Sequence, residues 1–186
     1  VLMDKECDDI LQWKNNPNYV KNDGRIAEQY EGAQTQDYRM CNLYLDKRAS
    51  GLIPEDSILN KIISKVMEFN NNNYKFDVEG ILSPEWPTLM EYNVGGHYDW
   101  HVDVFYTEKI PHTAYRKLSM SVILDCPGID YEGGELTFLG DTHEHSPKVN
   151  KGDIVLFPSY LPHKIKPITK GQRNSLVGWF HGPSFK

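Results

Sequence analysis

The chain has 186 residues, of which 39% are hydrophobic and 25% are charged, so it can bury a core and is not disordered by composition. Its 26 acidic residues outnumber its 20 basic residues, and the resulting net charge of −6 argues against nucleic acid as the main partner. The longest uninterrupted apolar run, Ile154 to Phe157, is far too short to span a membrane. These figures predict one compact domain over residues 1–186.

The cysteines, Cys7, Cys41 and Cys126, are too few and too widely spaced for a disulfide framework or a CxxC metal site. Reduced thiols are typical of an intracellular protein, so we expect a cytoplasmic location. The first residues after Val1 lack the charged and apolar regions of a signal peptide, which leaves open whether a targeting segment precedes them. The sequence does not indicate an oligomeric state.

Helical patterns are confined to residues 1–73. Asp4 to Trp13 carries apolar residues on one side, and a second helix is predicted after Pro54, where proline and two acidic residues suit a helix N-terminus. Apolar residues then recur at helical spacing from Ile58 to Val66, until the asparagines at 70–73 stop the pattern. We expect this part to be mainly helical and to support the rest of the domain.

From residue 74 onward, apolar residues alternate with polar ones, which is typical of β-strands. The strands with the clearest alternation are Tyr74–Val78 and Leu118–Asp125. Further strands are predicted between turn signals, at Thr88–Val94, His97–Asp103, Glu135–Leu139, Asp153–Phe157, His163–Lys166 and Arg173–Phe180. This spacing suits a sandwich, jelly roll or small barrel, and helices followed by strands predict an α+β fold with its core in 74–186.

The segment from His97 to Asp103 contains two His-x-Asp pairs. Because side chains repeat every second residue, a regular strand would project four polar side chains from one face, namely His97, Asp99, His101 and Asp103. Such a face is either a hydrogen-bonded polar surface or a chelate. A His-x-Asp pair supplies two ligands of the 2-His-1-carboxylate site that is typical of non-haem Fe(II) oxygenases. Spacing alone leaves both pairs open.

A third ligand must come from another part of the chain, and the remaining histidines are His112, His143, His145, His163 and His181. His143 and His145 flank an acidic residue in a turn-like stretch, which favours a solvated loop. His163 follows a proline at the start of a predicted strand, from which it can meet an inward-facing pair across a small barrel. His163 is therefore the better placed candidate.

Arg173 begins an otherwise apolar strand, and a buried arginine needs an anionic partner. That partner is either an internal carboxylate or the carboxylate of a bound cosubstrate, which a guanidinium can hold through two parallel hydrogen bonds. Ser175 shares the face of Arg173 and can add a hydroxyl. Trp179 also shares this face and is predicted to line a pocket.

Four segments, in order, carry a family resemblance: Tyr92–Asp103, Tyr131–Leu136, Gly152–Pro158 and His163–Ser175. They resemble the 2-oxoglutarate- and Fe(II)-dependent dioxygenases of the prolyl 4-hydroxylase type. The family pattern Tyr-x-x-Gly-x-x-Tyr-x-x-His-x-Asp falls on the first of these segments. The resemblance implies that the iron ligands are His101, Asp103 and His163, and that His97 and Asp99 are not ligands.

The same resemblance implies that Arg173 holds the distal carboxylate of 2-oxoglutarate and that Tyr92 lies near this cosubstrate. Collagen-type enzymes have a lysine in place of the arginine, so Arg173 points to the bacterial and oxygen-sensing branches of the family. The fold that the resemblance implies is a double-stranded β-helix, or jelly roll, with supporting N-terminal helices.

The implied reaction is hydroxylation of an unactivated C–H bond on a peptidyl residue such as proline, with succinate and CO2 as coproducts. Its cofactors are Fe(II), 2-oxoglutarate and O2, and ascorbate is a further cofactor that the resemblance allows. Free amino acids and other small molecules are alternative substrates, whereas the acidic composition disfavours alkylated nucleobases. A catalytically silent metal-binding jelly-roll module is the alternative from a different class. We expect no nucleic-acid or membrane partner.

Three further features of the sequence are interpreted from their position: a loop, a set of glycines and a tryptophan. The stretch from Val104 to Lys117 has the composition of a loop and directly follows the proposed ligands, so we predict that it is a mobile lid over the substrate. The glycines at 133–134 and 152 are interpreted as backbone requirements of turns or bulges. Trp100 alternates away from the proposed ligands and is predicted to pack in the core.

Overall fold

The structure is a computed structural model that describes residues 1–24, 26–28, 36–46, 57–82, 85–104 and 115–184. In these residues the helices are α1 (Asp4–Leu11) and α2 (Ser57–Asn72), and a 3-10 turn over Gln12–Asn15 follows α1. The strands are β1 (Tyr19–Asp23), β2 (Ile26–Glu28), β3 (Gln36–Met40), β4 (Asn42–Asp46), β5 (Thr88–Tyr92), β6 (His97–His101), β7 (Tyr115–Ile123), β8 (Tyr131–Gly133), β9 (Leu136–Leu139), β10 (Glu144–His145), β11 (Ile154–Pro158), β12 (His163–Ile165), β13 (Ile168–Gly171) and β14 (Arg173–Gly182).

Most of the described strands form two antiparallel sheets. The first sheet has the strand order β1-β4-β5-β14-β7-β11, and the second has the order β10-β9-β12-β6-β3-β2. Strands β8 and β13 pair separately at one end. The chain after residue 74 therefore supplies four of the six described strands in each sheet, as the alternation of its residues predicts.

The two faces of the first sheet are buried against different parts of the chain. Its outer face packs against α1 and α2, through side chains that include Ile10, Ile62 and Val66. Its inner face meets the second sheet in a smaller cluster that includes Tyr92 and Ile165. The α+β arrangement with supporting N-terminal helices is confirmed, and the space between the sheets is left for a functional site.

Alternation in β7 and β14 decides which side chains enter that space. In β7 the apolar residues Leu118 and Val122 pack on the helices, whereas Ser119 lies between them on the other face. In β14, Leu176 and Phe180 pack on the helices. The intervening residues of both strands therefore face the second sheet.

The first 73 residues also contain strands β1 to β4, which the sequence analysis did not predict. Strand β4 pairs with β5 in the first sheet, and β3 pairs with β6 in the second. Strand β1 has polar side chains on both faces and no alternation, so pairing with β4 rather than its own sequence pattern makes it a strand. The division of the chain at residue 73 stays a prediction.

The predicted strand from Tyr74 to Val78 is wrong. The buried Asn70 side chain donates to the Phe76 carbonyl at 2.9 Å and accepts from the Phe76 amide at 3.1 Å, so it takes both backbone groups that a strand would pair. Tyr74 and Phe76 pack against the core cluster that contains the side chains of α1 and α2. The alternation of apolar and polar residues here therefore reflects burial and not pairing in a sheet. Helix α2 also continues to Asn72, past the point where asparagines were expected to end it.

Two further findings concern the helices and the cysteines. In the part of the chain that the structure describes, no helix is long and apolar enough to cross a membrane. Cys7, Cys41 and Cys126 are free thiols, in agreement with the sequence analysis. The cytoplasmic location stays a prediction.

We predict that Asn70→Ala lowers the free energy of unfolding by about 1–3 kcal/mol, because it leaves the amide and carbonyl of Phe76 without their partner. Chemical denaturation measures the change. Asn73→Ala is the matched control, since the exposed Asn73 side chain makes a single bond to the Phe69 carbonyl. Equal effects of the two substitutions would contradict this account.

Candidate metal centre

Three predicted ligands meet between the sheets. His101 ends β6, Asp103 follows two residues later, and His163 begins β12 directly opposite His101. The Nε2 atom of His101 lies 3.8 Å from one carboxylate oxygen of Asp103, and the Nε2 atom of His163 lies 3.6 Å from the other. One ligand atom from each residue lies within 4.8 Å of the others. In the described residues this is the only such group, and it could hold a metal ion.

Hydrogen bonds fix both imidazole rings. His101 Nδ1 lies 2.7 Å from the Asp99 carbonyl, and His163 Nδ1 lies 2.9 Å from the Leu161 carbonyl, so each Nδ1 carries the proton. Each Nε2 then turns its lone pair toward Asp103 when the ring is neutral. Burial and the neighbouring His163 lower the pKa of His101 well below its usual value, which favours the neutral form that a metal needs.

Asp103 is held in place by serines. The Ser119 hydroxyl donates to Asp103 Oδ2 at 2.6 Å and also lies 2.9 Å from the Ser159 hydroxyl. The Asp103 amide donates to the Ser159 carbonyl at 2.9 Å. No lysine or arginine among the described residues forms an ion pair with this buried carboxylate. Two imidazole nitrogens and one carboxylate are a typical ligand set for a divalent metal, so these residues fit such an ion.

The two His-x-Asp pairs are separated by a bulge in β6, which the sequence analysis did not foresee. His163 is opposite His101 and Ile165 is opposite Tyr98, so two steps along β12 match three steps along β6. The extra residue turns Tyr98 and His101 to the same side, where their rings stack at 3.5 Å between centroids. Asp99 is exposed, and the prediction that all four residues share one face is therefore wrong.

Arg173 lies in the same space and has no ionic partner among the described residues. The side chain is only 1% exposed, and its Nη1 donates to the Ser175 hydroxyl at 3.1 Å. Its Nε and Nη2 have no hydrogen-bond partner among the described residues. Gly134 makes room for it, since a Cβ there would lie 3.0 Å from Arg173 Cδ. A buried guanidinium with free donors fits a bound carboxylate, whereas an internal acid is not seen in the described part of the chain.

A cavity of about 120 Å³ connects Arg173 with His101, Asp103 and His163, which together are called the triad. Trp179 lines it, as predicted, and Tyr92 and Ser175 line it as well. Burial raises the pKa of Tyr92 above its usual value, so this phenol stays protonated beside Arg173. His97 does not line the cavity, and its Nδ1 lies 2.9 Å from the Gly95 carbonyl.

The sequence analysis did not predict a cluster formed by Arg116, Glu85 and His181, of which Arg116 lines the cavity. Arg116 donates two hydrogen bonds to Glu85, at 2.6 and 2.8 Å, and covers the Trp179 ring at 3.8 Å. His181 Nε2 lies 2.7 Å from the same Glu85 carboxylate, so His181 pairs with an acid and is not part of the triad. A further bond from Arg116 reaches the Asp103 carbonyl at 3.2 Å. These residues are far apart in sequence and form no short motif.

The remaining predictions concern the proposed lid, Trp100 and two histidines outside the cavity. Residues 105–114 of the predicted lid, which include His112, lie outside the described residues, and Tyr115 to Lys117 belong to β7. Trp100 does not pack in the core as predicted, because its ring is half-buried under the ammonium group of Lys164, 4.4 Å from the ring centroid. His143 and His145 are exposed, as expected, but Glu144–His145 form the short strand β10 rather than a loop.

The family model described as the 2OG-Fe(II) oxygenase superfamily, where 2OG is 2-oxoglutarate, matches residues 87–181. The chain belongs to this superfamily. A PKHD-type hydroxylase of Psychrobacter sp. (strain PRwf-1) is 39% identical over 95 residues, which are 50% of this chain and 36% of that protein. A PKHD-type hydroxylase of Janthinobacterium sp. (strain Marseille) is 30% identical over 183 residues, which are 96% of this chain and 74% of that protein. The alignment to a third, from Idiomarina loihiensis, covers 40% of its length.

Solved structures show the fold. A Pseudomonas putida prolyl-4-hydroxylase matches with a TM-score of 0.65 and 19% identity, over 96% of this chain and 85% of that chain. A Trichoplax adhaerens prolyl hydroxylase, in complex with a hypoxia inducible factor peptide fragment, matches with a TM-score of 0.64 and 14% identity, over 96% of this chain and 78% of that chain. The predicted jelly-roll fold is confirmed.

The Glu85 group gives a pH-dependent prediction. Burial raises the pKa of Glu85, but hydrogen bonds from His181 and Arg116 outweigh burial and lower the pKa from 4.5 to about 2. The carboxylate therefore stabilises the folded state above pH 4.5, and this contribution is lost as the pH falls toward 2. We predict that Glu85→Gln loses less stability than the unmodified protein over this range. Denaturation at a series of pH values tests this, with exposed Glu79→Gln as the control, and identical pH profiles of Glu85→Gln and the unmodified protein would contradict it.

Proposed function

We propose that the chain is an Fe(II)- and 2-oxoglutarate-dependent dioxygenase that hydroxylates an unactivated C–H bond of a peptidyl residue such as proline. The observation that carries this proposal is one cavity with a buried His-Asp-His group at one place and, at another, a guanidinium without an ionic partner among the described residues. In this proposal the metal ligands are His101, Asp103 and His163. When bound, Fe(II) supplies the oxidising chemistry, in which O2, 2-oxoglutarate and the C–H bond yield succinate, CO2 and an alcohol.

The residues around Arg173 would bind and orient 2-oxoglutarate. The free Nε and Nη2 donors of Arg173 suit a carboxylate, and the Ser175 hydroxyl that Arg173 already contacts can donate to the same group. Tyr92 lies with its ring 5.5 Å from the guanidinium and forms part of the wall. Because these groups are buried, they exclude water from the cosubstrate.

The substrate would approach near Trp179. Along β14, Trp179 is six residues from Arg173, a separation of about 20 Å in a strand. Trp179 pairs in register with Ser119, which holds Asp103, so the indole is level with the triad. The indole Nε1 has no partner among the described residues and can donate to a substrate carbonyl. Arg116, packed on the indole, keeps the ring in place.

Peptidyl proline is the first substrate to test. Its support is that two structural neighbours are named prolyl hydroxylases and that one of them holds a peptide. Free amino acids and other small molecules are the alternatives for the same chemistry. No observation on the cavity favours a nucleobase, and ascorbate is a cofactor to test by its effect on turnover.

We predict that His101→Ala and Asp103→Ala reduce Fe(II)-dependent conversion of 2-oxoglutarate to succinate to the background rate, because each removes a proposed metal ligand. Succinate is measured by mass spectrometry under air. His97→Ala is the matched control, since His97 lies on the same strand but outside the cavity, and it should stay active. Full activity of either ligand variant, or loss of iron binding in His97→Ala, would show that the ligands are assigned incorrectly.

We predict that Arg173→Met raises the KM for 2-oxoglutarate about 10- to 100-fold, since hydrogen bonds to a charged group are worth about 1.5–3 kcal/mol. Methionine keeps the aliphatic part of the buried side chain but removes the donors. The assay varies 2-oxoglutarate at saturating Fe(II). Lys170→Met, which removes an exposed cation on β13, should leave the KM unchanged, and an unchanged KM in Arg173→Met would refute the assigned role.

A further inference from the structure

The ring of His101 is the end of a series of contacts that begins in β3. Tyr98 lies parallel to the His101 imidazole, with an interplanar angle of 13°. From β3, the Arg39 guanidinium lies 5.1 Å from the centroid of the Tyr98 ring, and the Tyr38 ring meets Tyr98 edge-on at 5.6 Å. Two residues of β3 thus pack on the ring that packs on His101.

Strand β3 also holds the backbone of the β6 bulge. The Tyr38 hydroxyl donates to the Trp100 carbonyl at 2.5 Å, and the Asp99 carbonyl contacts His101 Nδ1. A bulge interrupts the regular bonding of a strand, so its carbonyls need other partners. In β6 the Asp99 carbonyl bonds to His101, the proposed metal ligand, and the next carbonyl, that of Trp100, bonds to Tyr38 of β3.

Arg39 is itself fixed rather than loosely placed against Tyr98. Its Nε donates to the Gly24 carbonyl at 2.5 Å, and Arg39 pairs with Tyr98 in the register of β3 and β6. Arg39 also lines the cavity that contains the triad. Both Tyr38 and Arg39 lie outside residues 87–181, the part of the chain that the family model matches.

We propose that Tyr38 and Arg39 are positioning residues, which hold the β6 bulge and the Tyr98 ring so that His101 Nε2 points at the metal. The inference rests on the proposed function, because it takes His101 as a metal ligand. Groups that orient a ligand change metal affinity about 10- to 100-fold when they are removed. The structural origin of this effect lies in β3, a strand that carries no ligand of its own.

The test is a titration of the protein with Co²⁺, followed by the visible absorption of the bound ion. Tyr38→Phe keeps the ring but removes the bond to the Trp100 carbonyl, and we expect a Kd for Co²⁺ that is about tenfold higher, with a changed absorption spectrum. Tyr74→Phe is the matched control, because it removes a phenol bond to the Leu156 carbonyl, outside the cavity. It should keep the affinity and spectrum of the unmodified protein.

Arg39→Gln is a second variant, which removes the cation over Tyr98 and decides the question if Tyr38→Phe does not fold. It should also weaken Co²⁺ binding and change the spectrum. Unchanged affinity and spectrum in the folded variants, or an equal loss in Tyr74→Phe, would overturn the inference. Absence of Co²⁺ binding in the unmodified protein would overturn both proposals. Normal Co²⁺ binding without any Fe(II)-dependent turnover would refute the proposed activity alone.

Discussion

The pairing of β6 with β12 places His101 directly opposite His163, and the rest of the centre is arranged around this contact. Asp103 leaves the strand just beyond it, so its carboxylate lies between the two Nε2 atoms. Backbone carbonyls bond to both Nδ1 atoms, and Ser119 bonds to Asp103. The atoms that remain for a metal are two Nε2 atoms and one carboxylate, which is the anionic member of the set. The strand register that gathers these groups therefore also creates their need for a cation.

The two sheets contribute different parts of the site. The second sheet carries the proposed metal ligands, whereas β14 of the first sheet carries Arg173 and Ser175, and β7 carries Ser119. Helices α1 and α2 cover the outer face of the first sheet and hold β7 and β14 against the second. Metal binding and cosubstrate binding thus depend on the distance between the sheets, which packing in the core fixes.

The sequence predicted the parts of the fold that are governed by regular alternation. In β14 it places Arg173, Ser175 and Trp179 on one face, and the structure finds all three in one cavity. In β7 it separates apolar residues from serines, although it did not indicate that Ser119 would hold Asp103. Alternation predicts these positions because one face of each strand packs on the helices and the other faces the second sheet.

Other parts of the fold and of the site depend on contacts between separate segments, which the alternation of apolar and polar residues does not predict. The bulge in β6 arises from register with β12, and it overturns the expectation that His97 and His101 share a face. The segment after α2 alternates like a strand, but the Asn70 side chain takes its backbone groups. Arg116, Glu85 and His181 come from three distant segments, so only the folded chain brings them together. The ligand set itself came from the family resemblance, since spacing alone left two pairs.

The most direct test of the proposed centre is an anaerobic titration of the Fe(II)-loaded protein with 2-oxoglutarate, followed by visible absorption. If 2-oxoglutarate binds iron at this site, a metal-to-ligand charge-transfer band should grow with the concentration of 2-oxoglutarate and be absent in His163→Ala. A band of equal strength in folded His163→Ala, or no band in folded and iron-loaded protein, would contradict the central claim and favour a metal-binding module without this chemistry.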